Sequence, residues 1–252
     1  QVIFWAATVL TLVLILRRPY LAIRLGGRHI RMQSYFLGAL LGPVLILGFG
    51  FLSYSDVARG IAGNGSLQPG GVLALFLSMV FMSIFLDITG FFEMCARYAL
   101  RTAKTDGRRL FLALYITVSI LTVFTSNDIV VLTFTPFVYY FARTAGLDPR
   151  PFLVAEFFAA NTWSMLLYIG NPTNILLAGA CGMDFVGYFR RMAMPTVAAG
   201  VGSFLALRLL FRRQTDRPFA APVDADRPAA ALTDRAGALM AGLLLAVCIV
   251  LL

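Results

Sequence analysis

Residues 110–142 read LFLALYITVSILTVFTSNDIVVLTFTPFVYYFA, and residues 152–180 read FLVAEFFAANTWSMLLYIGNPTNILLAGA. Each stretch is apolar over a length that suits a bilayer, and each is interrupted by polar residues: Thr125-Ser126-Asn127-Asp128 in the first, Gly170-Asn171-Pro172-Thr173-Asn174 in the second. Hydrocarbon offers no hydrogen-bond partner to a backbone that leaves the helix. An interruption at that depth survives only where protein buries it or where it lines a wet cavity.

Composition puts the whole chain in lipid. Of the 252 residues 60% are hydrophobic and 13% charged, with a mean hydropathy of +0.83, whereas a soluble domain carries about a quarter of its residues as charges. The net charge of +9 is confined to loops: 18 of the 21 basic residues fall in Arg17–Arg31, Arg97–Arg109, Arg143 with Arg150, and Arg208–Arg235. The stretch from Ser55 to Gly71 holds only Arg59. This alternation is that of cytoplasmic and external loops, not of a nucleic-acid surface. The cysteines, Cys95, Cys181 and Cys248, are too scattered for a disulfide framework. The single histidine, His29, sits in a basic loop and reads as solvated. No nucleotide-binding glycine pattern, heptad series or His/Cys ligand spacing is present.

The remaining runs follow from length and flanking charge. Val2–Leu16 reads as a first membrane helix, Tyr35–Ser53 as an outward crossing and Val72–Phe92 as the return. Residues 110–142 have basic flanks at both ends, so both ends are cytoplasmic; two crossings and a re-entrant hairpin share that parity. The two apolar arms, about sixteen and fourteen residues, favour the hairpin by length, with Pro136 kinking the second. Residues 152–180 form a broken crossing, and Met192–Phe211 returns to the cytoplasm once Arg190 and Arg191 are placed in a short interfacial segment. The chain lacks an initiator methionine and stops within an apolar run, so it reads as a fragment.

Ser126, Asn127 and Asp128 supply a hydroxyl, an amide and a carboxylate at a tip where a helix beginning at Ile129 would leave end groups free to bind an ion. An ordinary turn uses the same residues. Asn171, Thr173 and Asn174 say more, because a kink needs Pro172 but not two amides and a hydroxyl; a proline kink satisfied by Asn161 and Thr162 is the alternative. Asp87, six residues before Glu93 on one helix, is a proton relay, a structural acid paired with an arginine such as Arg97, or a water-accessible acid. Glu156, early in its run, reads as interfacial.

Three motifs in this order and spacing, Leu86-Asp87-Ile88-Thr89-Gly90-Phe91-Phe92-Glu93, Ser126-Asn127-Asp128 with Leu132-Thr133-Phe134-Thr135-Pro136, and Asn171-Pro172-Thr173-Asn174-Ile175, resemble the ion transporter superfamily. The likeness spans about Val72 to Phe211 and is closest to arsenical pump membrane proteins; divalent anion/sodium symporters, citrate transporters and one type of sodium/proton antiporter are related branches. It implies an all-α polytopic membrane protein carrying the first of two inverted repeats of an elevator-type secondary transporter, with a re-entrant helical hairpin and a broken transmembrane helix. Residues 1–109 would be scaffold helices, 110–142 the hairpin, 152–190 the broken helix, 191–211 the last helix of the repeat, 212–235 a cytoplasmic linker and 236–252 the start of the second repeat. Ser126, Asn127 and Asp128 would form the hairpin tip, and Asn171, Thr173 and Asn174 the broken-helix loop.

The expected function is secondary transport of a small inorganic or organic anion, foremost proton-coupled efflux of arsenite or antimonite. Sodium- or proton-coupled symport of a dicarboxylate or citrate, or sodium/proton antiport, is the alternative. Asp128 resembles the Asn-Asp of arsenite permeases, whereas Asn-Pro-Thr-Asn is similar to the anion carriers. Thiolate ligation of arsenic has no cysteine cluster to serve it, so recognition would rest on hydrogen bonds to neutral arsenous acid. The coupling ion is H+ or Na+, with no other cofactor and no structural metal. The setting is a cell (inner) membrane, crossed many times, with a homodimer and, for the arsenite type, a cytoplasmic ATPase subunit as partners. A channel would need a ring of like residues, and an enzyme a nucleophile-base pair or metal ligands; neither is visible.

Overall fold

The computed structural model describes residues 2–25, 28–63, 69–219 and 231–250, which divide into two compact units, 1–64 and 65–252. In the first unit α1 (Val2–Arg17) lies antiparallel to α2 (Tyr35–Gly48). Small residues allow the approach: a Cβ added at Gly38 would stand 2.5 Å from Thr11 Oγ1, and one at Gly42 3.1 Å from Ala7 Cβ. Gly38 and Gly42 are the small-xxx-small pair by which membrane helices bring their backbones close. Strands β1 (Tyr20–Leu25) and β2 (Arg28–Gln33) pair antiparallel in the register Leu25 with Arg28. This hairpin departs from the expected all-helical fold. The side chain of His29 lies outside the described residues. A short helix, α3 (Tyr54–Ala62), closes the unit, capped by reciprocal bonds between Ser53 and Asp56.

The second unit is built of α4 (Pro69–Ile88), α5 (Phe91–Ala103), α6 (Gly107–Phe124), α7 (Asn127–Thr144), α8 (Pro149–Trp163), a 3-10 turn (Tyr168–Gly170), α9 (Pro172–Ala180), α10 (Phe185–Thr215) and α11 (Arg235–Val250). Among the described residues α4, α6 and α10 are long and apolar enough to cross a membrane, and α1, α2 and α11 are shorter apolar helices. Helix α8 is the hub, packing against α6, α7 and α10. Its start is set by Asp148, whose carboxylate accepts from Arg150 N at 3.1 Å and bonds the Arg150 guanidinium, which holds that carboxyl below its usual range. Large apolar side chains such as Phe81, Leu132, Leu209 and Leu243 stand two-thirds or more exposed. In water such a surface would aggregate; in lipid it is the outer face.

Several expected boundaries move. Val72–Phe92 is not one helix: it breaks after Ile88, and Gly90 takes φ +81°, a left-handed conformation that suits glycine. Asp87 is therefore the next-to-last residue of α4 and does not share a helix with Glu93. Arg97 pairs with Glu93 at 2.7 Å, one turn before it. The arms of the segment 110–142 are eighteen residues each, longer than their apolar runs, or about 27 Å apiece. Arg190 and Arg191 lie inside α10, which is continuous from Phe185, so no separate interfacial segment precedes that helix. The linker expected at 212–235 begins as the last turn of α10, and residues 220–230 lie outside the described residues.

The basic ends gather. Gly107 N donates to Arg217 O at 3.1 Å, Phe219 N to Thr105 O at 3.0 Å, and the Phe141 ring meets Phe219 edge-on at 5.6 Å. The start of α6, the end of α7 and the end of α10 thus lie on one side, with Arg108, Arg109, Arg143, Arg212 and Arg213, as the positive-inside reading requires. Within the bundle, Tyr115 of α6 donates to Gly200 O of α10 at 2.8 Å, and Gly200 faces the Trp163 ring. A Cβ at Gly200 would stand 2.6 Å from Trp163 Cε2, whereas one at Gly202 meets nothing within 4 Å. Gly200→Ala is expected to destabilise the fold by about 1–3 kcal/mol through overpacking, and Gly202→Ala to leave it unchanged, as read by thermal unfolding of the purified protein in detergent.

Candidate functional site

The first interruption is two residues long. Helix α6 ends at Phe124 and α7 begins at Asn127, two residues before the expected start at Ile129, with Ser126 in extended conformation as its N-cap. Thr125 folds back onto the α6 end, its hydroxyl donating to Leu121 O at 2.7 Å. Ser126 makes no side-chain cap bond. Ser126 and Asn127 are buried, whereas Asp128, in the first turn of α7, is exposed. An acid there complements the positive end of the helix dipole.

The second interruption is longer. Helix α8 stops at Trp163, the chain turns through Tyr168–Gly170, and Asn171 caps α9 by accepting from Thr173 N at 3.0 Å and from the Thr173 hydroxyl. Pro172 takes the first helical position, where its missing N–H costs nothing. The turn is held tightly: Asn174 Nδ2 donates to Ser164 O at 2.9 Å, and a Cβ at Gly170 would stand 2.4 Å from that same oxygen. Only glycine lets the returning chain pass.

The end of α8 joins the two interruptions. Asn161 Nδ2 donates to Phe157 O at 2.8 Å, which leaves its Oδ1 to accept from Asn127 Nδ2 at 3.3 Å. Ser164 Oγ donates to Asn161 O at 3.0 Å, and Ser164 O receives Asn174. A continuous chain of bonds therefore runs Asn127, Asn161, Ser164, Asn174. Of the predicted site residues it includes Asn127 and Asn174. Ser126 adjoins it at the tip, and Asn171 and Thr173 bond each other at the start of α9. Asp128 makes no hydrogen bond within it, and Asp87, exposed at the end of α4, reaches neither interruption.

Asn161 and Ser164 carry the connection, and the sequence reading gave Asn161 only a role in satisfying a kink and Ser164 none. The available signal was an amide and a hydroxyl spaced three apart inside an apolar run. Glu156, expected to be interfacial, is 3% exposed, buried on a helix that packs against α6, α7 and α10.

Chemically the tip offers oxygens. Thr122 Oγ1, Ser126 Oγ and Asn127 Oδ1 are buried with no hydrogen-bond partner among the described residues. Such groups are rare in folded proteins because each forfeits about 1–3 kcal/mol of solvation. A cation or a ligand with hydroxyl donors would recover it. Among the described residues no cluster of His, Cys, Asp or Glu suits a metal; Cys95 is half-buried, Cys181 is exposed, and the Cys248 side chain lies outside the described residues. A trough of about 450 Å³ between α6 and α10 is lined by Leu112, Ile116, Trp163 and Phe204 and offers almost no polar atom. It is a packing groove, not the site.

A bundle of apolar helices, basic on one side and broken at a partly buried polar network, is a multi-pass membrane protein of the transporter class. The chain belongs to the citrate transporter (CitMHS) family, whose model matches residues 3–252; this is a family of transporters, not of enzymes. Among curated proteins it is 30% identical over 180 residues to an arsenical pump membrane protein of Escherichia coli, covering 69% of this chain and 40% of that protein. It is 30% identical over 144 residues to the P protein of Mus musculus, covering 55% of this chain and 17% of that protein. A putative transporter arsB of Dictyostelium discoideum is 25% identical over 175 residues, covering 69% of this chain and 30% of that protein. No solved structure matches. The chain therefore spans less than half the length of these relatives.

The geometry around Ser164 gives a direct check. Gly170→Ala is expected to push the Ser164 carbonyl off Asn174 and to cost about 1–3 kcal/mol of stability, read by thermal unfolding of the purified protein in detergent.

Proposed function

We propose that this chain supplies one half of the transport site of a secondary active carrier for a small anion or its neutral acid, with arsenite or antimonite efflux coupled to protons as the leading assignment. The observation that carries the reading is the bond chain from Asn127 through Asn161 and Ser164 to Asn174, which ties two helix breaks, each preceding a helix N-terminus, into one polar locus, buried at Asn127 and Ser164, half-buried at Asn174 and exposed at Asn161. Broken helices of this kind are where carriers bind substrate and coupling ion, since freed backbone groups and half-helix dipoles converge there.

Each of the three buried tip oxygens can accept a hydrogen bond, which suits a ligand that carries hydroxyl donors. Neutral arsenous acid carries three hydroxyl donors, whereas a citrate trianion would need cationic or donor partners, and no Lys or Arg belongs to this network. The likeness to arsenical pump membrane proteins agrees with the donor argument. In this reading the segment 110–142 is a re-entrant hairpin in the first of two inverted repeats that move as an elevator. The setting is the cell (inner) membrane, with a homodimer or a cytoplasmic ATPase subunit as partner.

A second reading rests on the same oxygens. Thr122 Oγ1, Ser126 Oγ and Asn127 Oδ1 are hard ligands suited to Na+, and a bound sodium would supply the positive charge that a dicarboxylate or citrate requires. The family description favours that substrate class.

Counterflow of labelled arsenite against citrate and succinate in proteoliposomes of the complete protein, with sodium and proton gradients imposed separately, decides between them. Arsenite exchange that responds to the pH gradient and ignores sodium is expected; citrate exchange that requires sodium overturns the arsenite assignment. In the same vesicles Asp128→Asn is expected to weaken coupling, and full coupled transport by that variant removes Asp128 from the mechanism.

A further inference from the structure

Apart from the site, one buried ionisable group stands out: Glu156, at the middle of α8. It is 3% exposed. Its Oε1 accepts from Thr135 Oγ1 of α7 at 3.0 Å, and its Oε2 is buried with no partner among the described residues. An ionised carboxylate needs several donors or a cation to be held in a low-dielectric interior. One hydroxyl does not meet that need.

Among the described residues the helices packed against α8 supply no counter-charge. Helix α6 contributes Tyr115, whose hydroxyl is committed to Gly200 O and Ser203 Oγ of α10, while Arg108 and Arg109 sit at its basic end. On α7, Asp128, Tyr139, Tyr140 and Arg143 are all exposed. On α10, Tyr188 is buried near the opposite end, Arg208 pairs with Asp216, and Arg190, Arg191, Arg212 and Arg213 are exposed. On α8 itself Arg150 pairs with Asp148. None of these bonds Glu156.

The position matters because of what else crosses the same seam. The side-chain bonds described between α7 and α8 are two: Asn127 to Asn161 at the tip, and Thr135 to Glu156 eight residues further along α7, about 12 Å away. One closes the tip end of this antiparallel helix pair and the other its middle. A charge gained or lost at Glu156 changes one clasp of the pair whose other clasp is part of the transport site.

We infer that Glu156 is a proton-binding site whose occupancy sets how α7 is held on α8 and so links protons to the Asn127–Asn161 locus; this rests on the carrier reading above. The step is a proton taken from water onto a Glu156 carboxylate oxygen and returned to water, with no other bond made or broken. Thr135 acts through Glu156 as a positioning residue.

Infrared titration of the complete protein in lipid, with proton-driven uptake measured in the same vesicles, tests the assignment. The wild type is expected to show a protonated-carboxyl band that titrates with pH and is missing from Glu156→Gln, whose uptake becomes the same with and without a pH gradient. Thr135→Val is expected to move the midpoint of that band. Where Glu156→Gln does not fold, Glu156→Asp serves, and shifts the band instead of deleting it. A titrating band that survives unchanged in these variants, or uptake by Glu156→Gln still driven by the gradient, overturns the inference. A band lost with Glu156 in a protein that moves no anion leaves the proton site standing and overturns the carrier reading instead.

Discussion

Between Ser164 and Asn171 the backbone leaves the helix in a stretch flanked by apolar residues, where lipid returns none of the hydrogen bonds that are given up. Much of the second unit answers that requirement. Ser164 O is met by Asn174, Thr173 N by Asn171, and Gly170 N by Leu167 O. The cost of each bond left unmade is about 1–3 kcal/mol, so the turn is held by its own polar residues and by the three helices that cover α8. The asparagines are there for accounting before they are there for ligand, and the same groups serve both ends because an amide has two donors and an acceptor to distribute.

The two interruptions were legible because polar residues in an apolar run have no cheaper explanation. What joins them was not. Asn161 lies within a helix, where an amide reads as one more turn of side chains, and only the packing of α7 on α8 brings it opposite Asn127. The burial of Glu156 was hidden for a related reason. Counting from the first apolar residue puts it near an interface, but α8 starts earlier, at Pro149, and burial is decided by α6, α7 and α10, which a linear count cannot see. The break after Ile88 carried a signal in Gly90, and the β1–β2 pair one in Gly26-Gly27 between alternating residues; a continuous hydropathy reading overrides both.

Charge placement around the ends of α6, α7 and α10, by contrast, appears in the structure as the sequence implies. Basic residues that are distant in the chain, Arg108 with Arg212 and Arg213, come to one side because Gly107 and Thr105 bond the backbone that follows α10. The sidedness of a membrane protein is set by such loop charges, and short backbone bridges convert it into a fixed relation between helix ends. Gly107 is required at this bridge, since a Cβ there would stand 2.5 Å from Thr215 O.

The tip of α7 then presents a thermodynamic imbalance with consequences for selectivity. Three buried oxygens without partners forgo in sum several kcal/mol, at about 1–3 kcal/mol each. That is the scale of binding between millimolar and micromolar affinity, about 4–8 kcal/mol. Two of the three are hydroxyls, which donate as well as accept, and only Asn127 Oδ1 is confined to accepting, so a ligand recovers this energy either by accepting from Thr122 and Ser126 or by bringing donors or positive charge to all three.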